Sequence, residues 1–191
     1  MIRFTLTIEG TAPLLLHNAR LSDPLDPATK ALKKVSSKRT KTDEDHAEVS
    51  HAEFLGGLYL DPDVGPYLPG ENIAATLFEG AKLNKLGVKV KRGVLIETDV
   101  NPIAYTGPRD AESLWTNGAF VHRAGVKVGT SRVIRTRPIF RDWRVQADGV
   151  LDDTQLDLDQ LAQIADNAGA FIGLGDWRPR FGRFVAKVEK R

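Results

Sequence analysis

Along this chain the apolar periodicity changes from two residues to about 3.6 and back, and that order limits its fold more than any other feature. Ile2, Phe4, Leu6 and Ile8 alternate with Arg3, Thr5, Thr7 and Glu9, the pattern of a half-buried strand. Within Glu71 to Asn84, Ile73, Ala74, Leu77, Phe78 and Ala81 share one helical face. Gly70 is placed to cap this helix, and Glu71 complements the positive end of its dipole. Gly93 to Ala104 reads as a buried strand, and Arg132 to Val145 as another, bent at Pro138. Leu158, Leu161, Ala162, Ala165 and Ala168 make a second helical face, opened by a capping box of Asp157 and Gln160. Phe184, Ala186 and Val188 form the last strand. The order β-α-β-β-α-β predicts an α+β domain of the ferredoxin-like or RRM-like kind, in which two helices cover one sheet face and leave the other open.

Two polar stretches stand outside that order and are expected as large insertions in a single domain over residues 1–191. Residues 18–56 carry the turn signals Asp23-Pro24 and Asp26-Pro27, then a basic run, and are read as partly flexible, with a short solvated helix over Asp43 to Phe54. Residues 106–130 contain Phe120-Val121-His122 and Val126-Lys127-Val128 about an Ala124-Gly125 turn, which predicts a projecting hairpin.

Composition removes several function classes. The absence of cysteine excludes disulfides, thiolate catalysis and cysteine-ligated zinc, and agrees with a reducing compartment. No signal-peptide pattern and no spanning apolar run is present, so a cytoplasmic protein without a membrane partner is expected. Walker A, dinucleotide and Gly-x-Ser-x-Gly fingerprints are missing, and no cofactor is expected. His46 and His51, with Asp43, Asp45, Glu48 and Glu53, are ligand-type residues. Their five-residue spacing is off the helical face that a metal site requires, so no metal is expected either.

The formal charge is only +2, but its signs are segregated. Lys33, Lys34, Lys38 and Arg39 belong to a basic run that reads as a mobile arm, and Arg132, Arg135 and Arg137 to a second basic stretch. A positive face built this way concentrates polyanions. The third basic segment opens with Ile172 to Arg183, a loop of glycines and arginines. Glycines allow positive φ and close approach of backbone N–H groups to an anion, here Gly173 and Gly175. Arg178, Arg180 and Arg183 supply planar forks that match phosphate geometry. Trp177 and Phe181 lie among them, and Trp177 is expected to be wedged in the core. The first strand offers no exposed aromatic pair, so binding is expected through loops rather than on the sheet.

Two segments resemble the RAMP superfamily of CRISPR-associated proteins, particularly the backbone subunits that polymerise along a guide RNA. One is Gly57 to Gly70, which contains Asp61-Pro62, Gly65-Pro66 and Tyr67-Leu68-Pro69-Gly70 and runs into the Ile73 to Lys82 helix; the other is the glycine/arginine loop before the last strand. The resemblance implies binding of single-stranded RNA through its phosphates, head-to-tail stacking of copies, other effector subunits as partners, and a thumb over Thr106 to Gly129. It also implies catalytic candidates, since the RNA-cleaving relatives carry an Asp six residues after a His, as Asp23 follows His17 here. The family's glycine pair after the His is Ala19-Arg20 in this chain, and its helix-entry Ser-Ser-Leu-Lys-Gly is Glu71-Asn72-Ile73-Ala74-Ala75. Those departures favour binding over cleavage. A free-standing viral or mobile-element protein that binds or anneals ssDNA or ssRNA, and a RAMP-type endoribonuclease, are the alternatives.

Overall fold

A computed structural model describes all residues, Met1–Arg191. In chain order the elements are β1 (Ile2–Gly10), β2 (Leu14–Leu15), α1 (Pro27–Ser36), α2 (Asp43–Gly57), β3 (Leu60–Asp61), β4 (Gly65–Pro69), α3 (Gly70–Lys82) and α4 (Gly87–Gly93). They continue as β5 (Val94–Ile96), β6 (Val100–Pro102), α5 (Ala111–Thr116), β7 (Val121–Val128), β8 (Ser131–Phe140), β9 (Arg144–Leu151), α6 (Leu158–Asn167) and β10 (Phe184–Lys190). The protein is α+β, and it divides into two compact units. The first comprises residues 1–14, 61–106 and 140–191; the second, 15–60 and 107–139.

The first unit is organised by a four-stranded sheet of order β10-β1-β9-β5, with β1 antiparallel to β10 and to β9, and β5 antiparallel to β9. Phe4, Leu6 and Ile8 of β1 are buried, as period two requires, together with Val145, Ala147 and Leu151 of β9. The helices α3 and α6 supply Ile73, Leu77, Leu161, Ile164 and Ala165 to the same core. The capping box of α6 forms as read: Asp157 accepts from the Gln160 N–H at 2.7 Å, and the Gln160 side chain accepts from the Asp157 N–H at 3.2 Å. The helix α3 begins at Gly70, and Pro69 rather than Gly70 occupies its N-cap.

Two strands differ from expectation. The run from Gly93 to Ala104 is not continuous: β5 joins the main sheet, whereas β6 pairs with β4 in a separate sheet of order β3-β4-β6. Thr98 and Asn101 make the break, with the Asn101 amide donating to the carbonyls of Leu68 and Thr98, so the chain turns rather than extends. Likewise Arg132 to Val145 is two strands, with the chain leaving β8 after Phe140 and re-entering as β9 at Arg144. The third strand of the main sheet is therefore Arg144–Leu151, a segment whose Asp148 and Gly149 hid its periodicity.

In the second unit, the segments read as insertions carry regular structure. The first part of the basic run, Lys30 to Lys34, is helical: Asp26 caps α1 through the Ala28 N–H at 2.7 Å, with Pro27 in the first turn, whereas Lys38, Arg39 and Lys41 lie outside the helix. Helix α2 opens with a Thr42–Asp45 capping box and buries Ser50, Glu53 and Phe54, so it is not merely solvated. The sheet order here is β2-β8-β7. The hairpin β7–β8 turns at Gly129-Thr130, between the paired Val128 and Ser131, because Gly129 takes φ +59°. Ala124 and Gly125, the expected turn, lie within β7 opposite Arg135 and Ile134.

Candidate nucleic-acid interface

The glycine/arginine loop lies in the first unit and is folded back on itself. The buried Leu174 donates its N–H to the Gly182 carbonyl at 2.8 Å, and the Gly182 N–H donates to the Pro13 carbonyl at 2.8 Å. A Cβ on Gly182 would lie 1.7 Å from the Leu174 oxygen, and its φ is +72°, so only glycine permits the doubling back. The Gly173 N–H is consumed by the Ala168 carbonyl at 2.8 Å. It is therefore not a donor for an anion, contrary to the reading from sequence. The Gly175 N–H is engaged by no group of the chain, and Gly175 is partly exposed at φ +76°.

Around this frame the loop turns its cations outward. Arg178, Arg180 and Arg183 are exposed, and Arg183 is steadied by donating from Nε to the Pro179 carbonyl at 2.9 Å. Asp176 is the one acid between Gly173 and Arg183. Trp177 is not wedged in the core: it is 38% exposed and lies 5.6 Å, centroid to centroid, from Phe181. The Arg180 guanidinium lies 5.5 Å from the Trp177 ring and 5.9 Å from that of Phe181, within cation–π range. Trp177 also holds φ +55°, an arrangement that costs a bulky side chain about 1–3 kcal/mol and is maintained by its surroundings. Local sequence could not reveal this, because the left-handed backbone at Trp177 swings the ring out of the core.

The open face of the main sheet behaves differently. Arg144 pairs with Glu9 at 2.8 Å, Arg191 with Asp148 at 2.6 Å, and Lys187 with Glu189 at 2.8 Å. Thr5 donates to Asp148 at 2.7 Å. These acids neutralise the face, and no aromatic ring lies on it.

In the second unit the remaining candidates separate into three groups. Lys33 and Lys34 are exposed on α1; Arg39 is exposed just beyond it, while Lys38 is paired with Asp45. On β8, Arg135 and Arg137 share one face, opposite Ala124 and His122 of β7. Arg132 is on the other face, opposite Lys127, near the exposed tip. Hence the three β8 arginines do not line one groove.

His17 lines a pocket of about 230 Å³ together with Arg135, Arg137 and Glu53. Asp23 does not line it. Its carboxylate accepts from the Leu25 N–H at 2.8 Å, which fixes the turn into α1. The acidic and imidazole cluster on α2 also disperses, with Glu53 on Arg135 and His51 beside Glu112 at 3.3 Å.

Glu53 was read from sequence only as one member of that ligand-type cluster, and its role as a buried partner of β8 was not anticipated. It is 6% exposed, and its two oxygens accept from the Arg135 guanidinium and from the Thr136 N–H at 2.9 Å. The signal available was a lone acid at the apolar end of a helix, followed by Phe54 and Leu55. No protein-family model matches this chain, and no curated protein matches it.

Proposed function

We propose that the protein binds single-stranded nucleic acid, RNA foremost, through its phosphates, and that copies assemble head to tail along the strand. The observation that carries this reading is the loop surface around Trp177. Three exposed arginines, a backbone N–H left open at Gly175 and an exposed Trp177 ring beside the half-buried Phe181 stand within one short segment. Phosphate-matching forks beside a ring on which a base can stack are the parts that single-strand binding requires. The exposed cations Arg123, Lys127 and Arg132 on the β7–β8 hairpin and Lys33 and Lys34 on α1 add a sequence-independent attraction.

The main unit fits the ferredoxin-like pattern: its sheet order β10-β1-β9-β5, with α3 and α6 in the two crossing connections, supports that assignment. With the Pro-Gly entry to α3 and the glycine loop before β10, it also supports placement among the RAMP-type backbone subunits of a CRISPR ribonucleoprotein. The neutralised sheet face argues for contact through the loop, not through the sheet.

A gel-shift titration of single-stranded RNA, single-stranded DNA and duplex at two salt concentrations tests the reading. Tight, salt-sensitive binding of single strands is expected, with slower-migrating multiples on longer strands. Equal affinity in an Arg178→Ala/Arg180→Ala protein would remove it. Intact end-labelled RNA after prolonged incubation is expected, since Asp23 is committed to a turn and does not line the pocket that holds His17.

A further inference from the structure

The second unit contains a pocket that phosphate binding at the loop does not use. It lies beside β8 at Arg135 and Thr136, where the Thr136 N–H meets the Glu53 carboxylate instead of a neighbouring strand. Its volume is about 230 Å³. That is somewhat below the ~300–1,000 Å³ of pockets that bury a drug-sized molecule, and suits one phosphate with one ring rather than a run of strand.

The lining divides by chemistry. Arg135 and Arg137 bring two permanent positive charges, and Glu53 returns one negative charge. The Glu53 oxygens are taken up by Arg135 and the Thr136 N–H, so the carboxylate orients Arg135 and leaves the rest of its five-donor fork for another acceptor. The net positive lining selects an anion. Leu21 and Leu32 are the apolar part of the lining, a surface against which a planar base can pack.

A further observation concerns Thr136. It is 2% exposed, and the alternation of β8 places its side chain on the face opposite Arg135 and Arg137, so it meets the pocket through its backbone, whose N–H is held by Glu53.

We propose that this pocket seats a nucleoside monophosphate unit, its phosphate on Arg135 and Arg137 and its base against Leu21 and Leu32. The unit is either a free nucleotide or the 5′-phosphorylated terminal nucleotide of a strand. This inference rests on residues of the second unit alone and stands or falls separately from binding at the loop.

Isothermal titration of the full chain tests it with adenosine 5′-monophosphate, adenosine, inorganic phosphate, and a tetranucleotide with and without its 5′-phosphate. Adenosine 5′-monophosphate is expected to bind at least tenfold more tightly than adenosine. A 5′-phosphorylated tetranucleotide that outcompetes its hydroxyl twin identifies the strand end as the source, and one that does not identifies the free nucleotide. Arg137→Ala is expected to lower the affinity tenfold or more.

Arg137→Lys supplies the second variant. It keeps the positive charge and loses the planar fork that matches a phosphate, so its melting temperature is expected to hold while nucleotide affinity falls severalfold. The Arg178→Ala/Arg180→Ala protein is expected to bind adenosine 5′-monophosphate as wild type does while losing RNA in the gel shift. No measurable binding of adenosine 5′-monophosphate to the folded wild-type protein would overturn the proposal, as would unchanged affinity in both Arg137→Ala and Arg137→Lys.

Discussion

Glu53 illustrates how one side chain acquires its meaning from residues more than eighty positions away. Its carboxylate accepts a charged hydrogen bond from Arg135 and a backbone hydrogen bond from Thr136, and it is buried while doing so. Hydrogen bonds to charged groups each contribute about 1.5–3 kcal/mol. Glu53→Gln retains the size but loses the charge, and it is expected to cost about that much in stability, read as a lower midpoint in urea denaturation. At the loop the arginines face solvent, so the opposite behaviour is expected. Arg178→Ala/Arg180→Ala leaves the melting temperature within a degree or two of wild type and lowers single-strand affinity by tenfold or more in the gel shift. The arginine forks were legible from residue type and spacing. Trp177 was not, because nothing in its neighbours announces a left-handed backbone.

Among the elements, the helices with their own caps were the most readable. Asp157 and Gln160 satisfy the first N–H groups of α6 through contacts three residues apart, so the signal is local. Asp157→Ala is expected to cost about 1 kcal/mol, measured by thermal or urea unfolding. Hairpin β7–β8 was recognised and its turn misplaced by five residues. Two Ala/Gly-type turns competed for it, and pairing along the whole of β8 settled the register at Gly129-Thr130. The glycine loop lies between these cases. Its glycines were seen, but as anion donors, whereas Gly173 and Gly182 serve mainly the chain's return past Leu174. Gly182→Ala is therefore expected to destabilise the protein by more than the ~1–3 kcal/mol of left-handed strain alone, since the added carbon also meets the Leu174 oxygen. Circular dichroism melting checks it, and lost RNA binding should accompany lost order in the loop.

For the whole molecule, charge sets both binding and stability. If the three loop arginines each neutralise one phosphate, log affinity for single-stranded RNA should fall against log salt with a slope of about 2, at about 0.7 per contact. Arg178→Ala/Arg180→Ala should flatten it. Acid should weaken the fold. The Asp45 carboxyl is held below its ordinary value of 3.8, chiefly by the hydrogen bond from Lys38 and then by the Thr42 backbone. Asp110 is lowered by the Ser113 backbone, and Asp152 by the Thr154 hydroxyl. A carboxyl whose folded pKa is depressed stabilises the fold above its unfolded value, and that contribution disappears as pH falls through the lower folded value. The melting temperature is expected to decline below about pH 4, which a series of thermal melts will show. The amino-acid sequence was sufficient for the alternation in β1, the apolar faces of α3 and α6, the caps and the cationic character of the loop, because each depends on residues within a few positions. The partition of Gly93 to Ala104 between two sheets, the arrival of Arg144–Leu151 as a central strand, the exposure of Trp177 and the joining of His17, Glu53 and Arg135 in one pocket came from long-range pairing. Competing segments carry similar local preferences there, and the packing of distant residues selects among them.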